Sequence, residues 1–501
     1  MDKTAIRVRY SGFVVFAAQI LGLFTGLVFT LLLTRNMSPA EFGTWSFISS
    51  LMALFVLPST LFPFWATRFV ARGKEGATKT ALSGNLVVGA ASIVVYLIVV
   101  APLITAFGIS NVYLFVYLLA SLQILNLFLI NVLEGCLQAV KPQAKGYGFL
   151  IEEVVKVAVA FVLIMGLGQL FVGAMIAMIS GAAAQVAFYG WTLRGELRQP
   201  IRLSYLREWL KGSTAFTYNI IGTQLNNFLS YMLVYLSGQA ALGYYQAALT
   251  FSVVIGYASS LAFALYPKML AQECPEDVRA SFTTVIMLVL PMAAVALTMS
   301  RSLLIILKAS YASAAPVLML LTVEMVVVVI SQFYTQCLMG VEAFDIEGKI
   351  PLRKLVHSKI FKVFSLPYLQ AAISLPLFYF ILMRLGSSDQ VLAAVYLVTV
   401  LIVAQSVSFA VLYGFMHKSL AFKVAWLSIG KCVFGAFVTA GVLLVLPQTT
   451  TVTTTFGKML VGVVVYSGLL YAIDADARKL VRQIWEEITG TVRPNGSAAN
   501  L

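Results

Sequence analysis

Histidine and cysteine are scarce: His357, His417, Cys136, Cys274, Cys337 and Cys432 are the whole set in 501 residues, and no two lie close together. Their scatter excludes a metal or redox motif and a disulfide-stapled fold, so no cofactor is implied. The cysteines read as small core residues. Charge is scarce too, at 11% of residues, against about 25% in soluble domains. A chain that is 60% hydrophobic is neither an ordinary soluble protein nor a disordered one. Acidic residues are fewest, 20 against 34 Lys and Arg, leaving a net charge of +14.

What the chain has in quantity is long apolar runs. A helix crossing a bilayer uses roughly 20 apolar residues. The runs and their Gly, Pro or charged breaks predict about fourteen such helices, at 11–34, 43–67, 81–107, 112–137, 149–165, 170–192, 213–236, 243–267, 280–300, 313–340, 363–383, 390–415, 424–446 and 456–473. The fold class expected is therefore an all-α polytopic membrane protein. Met1–Tyr10 is basic, and Gly12–Thr34 behind it is too long for a signal peptide, so it reads as a retained first span.

An even span count puts both termini on one side. With that side cytoplasmic, most Lys and Arg residues fall inside, only Arg35, Arg301, Lys308 and Arg384 fall outside, and Lys156, Lys431 and Lys458 fall within spans. This satisfies the positive-inside rule. The basic excess then reflects topology and attraction to anionic lipids, not nucleic-acid binding. External segments such as Gly108–Asn111 and Gly166–Gln169 are too short to form a catalytic domain. Three cytoplasmic segments look interfacial: Leu203–Lys211, where Leu203, Leu206, Trp209 and Leu210 share a face, the basic Leu352–Lys362, and a tail carrying Leu480, Val481, Ile484, Trp485 and Ile488.

Laying residues 11–73 over 211–273 without a gap matches Gly12 with Gly212, Phe16 with Phe216, Gly22 with Gly222, Leu33 with Leu233 and Gly43 with Gly243. Similar pairs include Gln19 with Asn219, Thr30 with Ser230, Trp45 with Tyr245 and Arg68 with Lys268. Each copy opens a half of six spans, so the repeats run parallel, related by an axis along the membrane normal. The domain expectation is a six-helix lobe at 1–192, an amphipathic linker at 193–212, a second six-helix lobe at 213–415, two further spans at 416–473 and a cytoplasmic tail at 474–501. Two such lobes about a cavity make the frame of an alternating-access transporter.

Polar groups within spans mark candidate sites because lipid does not tolerate them. Asn219, Thr223, Asn226 and Ser230 fall within about 60° on one helix face. Gln123, Asn126, Asn131, Glu134 and Gln138 form a broader row, open to reading as cavity lining or as contacts between helices. Glu324 is the deepest acid, either a proton or sodium site or the partner of a buried cation such as Lys431. Lys156 can pair with Glu152 or Glu153 on its own helix, or bind phosphate. Arg35, Arg68 and Lys268 either snorkel to lipid headgroups or line a cationic route.

The stretch Leu33-Thr-Arg-Asn-Met-Ser-Pro-Ala-Glu-Phe-Gly43, with Ala66-Thr-Arg-Phe-Val-Ala71 behind it, resembles the opening of the polysaccharide-biosynthesis flippases of the multidrug/oligosaccharidyl-lipid/polysaccharide exporter superfamily. Ala241-Leu-Gly-Tyr-Tyr-Gln-Ala-Ala248, Leu265-Tyr-Pro-Lys268 and Ser310-Tyr-Ala-Ser-Ala-Ala-Pro-Val-Leu318 look like the family's second half. The basic stretch Leu352–Phe364 departs from its pattern. The resemblance implies a cell-membrane flippase that carries a polyprenyl-linked oligosaccharide from the inner to the outer leaflet. In that role Arg35, Arg68, Lys156, Lys268 and Lys431 are candidate phosphate or sugar contacts, and Gln19, Asn219 and Asn226 candidate cavity groups. Glu324 is the candidate coupling site for Na+ or H+. The alternatives are a cation-coupled multidrug exporter of the same superfamily, a membrane glycosyltransferase or polymerase, and a scaffold that transports nothing.

Overall fold

The computed structural model describes residues 8–212, 214–262, 275–341, 359–386, 389–419, 425–448 and 450–478. Lys268, most of the basic segment from Leu352 and the tail from Leu480 lie outside the described residues. Within them the chain is helical, with no strand. Among the described residues ten helical runs are long and apolar enough to cross a membrane.

The first half runs α1 (Val8–Asn36), α2 (Pro39–Val56), α3 (Pro63–Ala71), α4 (Ala77–Ala106), α5 (Leu114–Val140), α6 (Pro142–Ala160) and α7 (Leu170–Thr192). Then follow the linker helix α8 (Leu203–Gly212), α9 (Thr214–Ser237) and α10 (Gln239–Gly256). The remainder comprises α11 (Pro275–Thr298), α12 (Ser300–Leu307), α13 (Ala315–Val341), α14 (Lys359–Leu385), α15 (Gln390–Ser419), α16 (Trp426–Val445) and α17 (Val452–Ile473).

Local chemistry explains several boundaries. Ser38 caps α2 reciprocally with Glu41: the Glu41 N–H donates to Ser38 Oγ at 3.3 Å and the Ser38 N–H to Glu41 Oε2 at 2.8 Å, with Pro39 in the first turn. The span expected at 43–67 lies within one apolar run, Pro39–Ala71, in which a 3-10 turn at Leu57–Thr60 separates α2 from α3; Pro58 in the turn and Pro63 at the start of α3 each lack a backbone donor. Pro142 likewise starts α6 against the end of α5.

The chain divides into two compact units. One comprises Met1–Thr250, Leu307–Val317 and Phe361–Ala404, and the other Phe251–Ile306, Leu318–Ile360 and Gln405–Leu501. In the first unit α4 is tied to α5 by Asn85 Nδ2 donating to the Phe128 carbonyl at 2.7 Å and Tyr96 Oη to the Tyr117 carbonyl at 2.6 Å. The linker helix splits its apolar residues between the protein and the outside, with Leu203 and Leu210 exposed. Trp209 is fully buried against Phe69, centroids 5.3 Å apart, and Phe62, at 6.3 Å, while Leu203 is 72% exposed.

The repeat becomes concrete where α2 meets α10. A Cβ on Gly43 would sit 1.7 Å from the Gln239 carbonyl oxygen, and one on Gly243 would sit 1.9 Å from that of Pro39. Pro39 and Gln239 occupy equivalent repeat positions, as do the two glycines, so the crossing is its own image, as in a two-fold interface. Only glycine permits backbones this close.

In the second unit Met287 of α11, Cys432 of α16 and Tyr466 and Leu470 of α17 share one apolar cluster. Gln405 Nε2 donates to Ser331 Oγ at 3.0 Å, joining α15 to α13.

Candidate functional site

Below the α2–α10 crossing, within the first unit, lies a cavity of about 370 Å³. Phe29, Thr30 and Leu33 of α1 form one wall, at the spacing of a single helix face. Phe42, Trp45, Ser46, Ser49, Ser50 and Ala53 of α2 form the second by the same periodicity. Asn227 of α9 with Gln246 and Thr250 of α10 closes the third side. Ser46 and Gln246 are repeat mates, as are Ser50 and Thr250, so the cavity follows the internal symmetry. Above it the buried Tyr311 packs edge-on against Phe42 at 6.1 Å and Tyr244 at 6.2 Å. Lys308 Nζ donates to the Met37 carbonyl at 2.9 Å beside them.

Among the described residues no ionisable side chain lines this cavity. Ser46 and Ser50 donate to the carbonyls one turn back at 2.8 and 3.2 Å, and Thr250 does the same at 2.9 Å. Asn227 Nδ2 donates to Gln224 Oε1. Behind Phe29, Lys156 pairs with Glu153 of the same helix, not Glu152, and its ammonium stands 5.7 Å from the Phe29 ring. Thr25 Oγ1 donates to Glu153 Oε2 at 2.6 Å, which fixes the carboxylate. The arrangement is neutral overall and suits a polar, uncharged guest.

Of the described first-unit residues singled out from sequence, Arg35, Arg68, Lys156, Asn219 and Asn226 do not line this cavity. Arg35 is exposed in the last turn of α1, where its positive charge complements the negative end of the helix dipole. The Arg68 guanidinium stands 4.4 Å from the Phe64 ring of its own helix, a cation–π contact. Lys431 Nζ pairs with Asp474 Oδ1 at 3.2 Å, so Glu324, half-buried on α13, is not its partner. Gln19 lies on α1 and Asn219, half-buried, on α9. Asn226 donates to the Pro367 carbonyl at 3.2 Å, fastening α9 to α14, while the adjacent Asn227 reaches the cavity. The α5 row holds helices together: Asn126 Nδ2 donates to the Ile179 carbonyl at 3.1 Å, and Asn131 Nδ2 to Ser59 Oγ at 2.6 Å. Glu134 pairs with Lys145 at 2.9 Å.

Sequence reasoning missed the α2 row. Its signal was present in the i, i+4 pair Ser46 and Ser50, since hydroxyls at that spacing share a helix face. Hydroxyls are so common in helices that the pair carries weight only beside Gln246 and Thr250, their mates in the repeat.

Comparison with solved structures gives the fold a context. The structure superimposes on the lipid II flippase MurJ in an inward closed conformation with a TM-score of 0.70 at 14% identity, over 94% of this chain and all of that one. An inward-facing multidrug resistance MATE family transporter of the MOP superfamily matches with a TM-score of 0.61 at 14% identity, over 80% of this chain and 96% of that one. A MOP superfamily transporter from Pyrococcus furiosus, described by a reversed polarity of its binding pocket, matches at 0.53 with 15% identity, over 81% of this chain and 93% of that one. No curated protein matches significantly by sequence. The family described as polysaccharide biosynthesis protein matches residues 8–272, more than half the chain, through both helix pairs that wall the cavity. The chain therefore belongs to the polysaccharide biosynthesis protein family and has the fold shared by MOP superfamily transporters.

Proposed function

We propose that this protein is a flippase that carries a polyprenyl-(pyro)phosphate-linked oligosaccharide from the inner to the outer leaflet of the cytoplasmic membrane by alternating access. The observation that carries the reading is the cavity between α1 and α2 and their repeat mates α9 and α10, walled by hydroxyls, amides and an indole. These are the groups that bind sugars. Family membership agrees with a role in polysaccharide assembly.

In this reading lobes 1–192 and 213–415 exchange access, residues 416–473 flank them, and both termini face the cytoplasm. The glycan enters the cavity and the prenyl chain stays in lipid. Arg35, Arg68 and Lys268 serve the carrier phosphates, while Lys156 and Lys431 are held by carboxylates and act structurally. Glu324, half-buried on α13, is the site where Na+ or H+ couples to turnover.

The test is transfer of a labelled polyprenyl-pyrophosphate oligosaccharide across liposomes holding the purified protein, with protein-free vesicles and a cationic dye as controls. Movement of the lipid-linked glycan alone is expected. Movement of the dye alone makes the protein a drug exporter. Glu324→Gln is expected to abolish the dependence of flipping on a Na+ or H+ gradient, and unchanged gradient dependence removes Glu324 from coupling.

A further inference from the structure

We propose that the linker helix α8, with the adjoining end of α7, is a docking surface for the headgroups of anionic phospholipids in the leaflet that borders it. The linker is fastened to the first unit at several points. The Gly76 N–H donates to Gln199 Oε1 at 2.5 Å, and the Arg202 N–H donates to Thr80 Oγ1 at 2.8 Å. Leu206 fills the notch at Gly84 of α4, where a Cβ would stand 2.6 Å from its Cδ2. With Trp209 buried against Phe62 and Phe69, these contacts fix the direction in which each side of α8 faces.

The helix then has three sides. Tyr205, Leu206 and Trp209 lie toward the protein, with Tyr205 packed on Phe69 at 5.1 Å. Leu203 and Leu210, 72% and 51% exposed, lie within about 20° of each other and about 100° round from the protein side. The exposed Ser204 and Glu208 follow, roughly 120° beyond the leucines. A helix packed on a protein in water needs only a protein side and a polar side. A second apolar side suits a helix lying in the membrane plane, with acyl chains against its leucines. The contact at Gly84, in the membrane-crossing α4, and the start of α9 at Thr214, just past the end of α8 at Gly212, hold the linker at the level of the membrane surface.

Charge selects the headgroup. Among the described residues Arg194, Arg198 and Arg207 are exposed and in no ion pair, whereas Arg202 pairs with Glu75 at 3.6 Å. Arg207 lies about 40° from Leu203 on the water side, so its stem can follow the helix while its guanidinium stays among headgroups. Trp191, 63% exposed at the end of α7, has the Arg194 guanidinium 5.8 Å from its ring. An exposed tryptophan marks the membrane–water boundary, so that cation also sits at headgroup depth. Unpaired arginines there attract phosphatidylglycerol and gain little from zwitterionic phosphatidylcholine.

The full chain is placed in phosphatidylcholine vesicles holding a minority of phosphatidylglycerol, with bromine on the acyl chains of an equal amount of one lipid or the other. Bimane is attached at Leu203→Cys, with Glu208→Cys as the reference on the polar side. Cys136, Cys337 and Cys432 are buried, and the signal of the labelled unsubstituted chain is subtracted. Quenching at Leu203→Cys is expected to be about threefold stronger from brominated phosphatidylglycerol than from brominated phosphatidylcholine, and weak from either at Glu208→Cys. Arg194→Gln, Arg198→Gln and Arg207→Gln together are expected to bring the two lipids level while total quenching at Leu203→Cys persists. Equal quenching by the two lipids with the arginines in place overturns the proposal, and so does a preference that survives their loss. Quenching at Leu203→Cys no stronger than at Glu208→Cys overturns it as well, because α8 then faces water or a soluble partner. Leu210→Cys repeats the measurement independently should Leu203→Cys misfold.

Discussion

Lys431 and Asp474 show how a charge within a span is retained for structure. The Asp474 side chain is only 2% exposed, accepts from Lys431 at 3.2 Å and receives the Ala477 N–H at 3.2 Å. Lys431→Ala strands that carboxylate and is expected to cost about 2–3 kcal/mol, at the lower end for a buried pair because the lysine is 31% exposed. Lys431→Met with Asp474→Asn removes both charges and is expected to recover most of the loss. Thermal melting of the three proteins measures this, and a fully stable Lys431→Ala would mean that the pair is idle. The same residue shows where reading charges singly fails. In sequence Lys431 and Glu324 are equally plausible partners, and only the return of the chain at α17 brings Asp474 within reach.

Among the elements, α2 and α10 carry the sharpest constraint. Each presents a glycine to the other's backbone at a distance that no side chain tolerates. Gly43→Ala or Gly243→Ala is therefore expected to force the helices apart, at a cost of about 1–3 kcal/mol if the bundle yields as overpacked cores do. The consequence for function is a leak at that end of the cavity. Phe42→Cys, placed beside the crossing, is expected to label faster from outside in the Gly43→Ala background than in its absence. An unchanged labelling rate would mean that the crossing does not seal the cavity. The all-helical class was legible from apolar runs, of which ten among the described residues are long and apolar enough to cross a membrane, and the 3-10 turn inside the second was not. Pro58 and Pro63 were visible, but hydropathy averages over a short irregular turn and reports one continuous span.

For the molecule as a whole, charge asymmetry is the strongest quantity in the sequence. With 34 basic and 20 acidic residues, the placement of loops is a matter of electrostatics against the membrane potential and anionic lipid. Fluorescent protein fused to either end is expected to be protected from protease added outside intact cells. External digestion of one end would require an odd number of spans and a different pairing of the repeats.

Composition and periodicity alone determine that this chain is a helical membrane protein, because the solvent preference of each helix is a sum over its residues and does not depend on its neighbours. The family resemblance was legible for a related reason, since motifs such as Ser38-Pro-Ala-Glu41 encode a helix start locally. The candidate site was legible only in its helices. Asn226 and Asn227 are adjacent and chemically identical, yet one fastens α9 to α14 and the other reaches the cavity. Which of two neighbouring side chains meets a guest depends on the rotation of a helix among its neighbours, and tertiary packing sets that rotation.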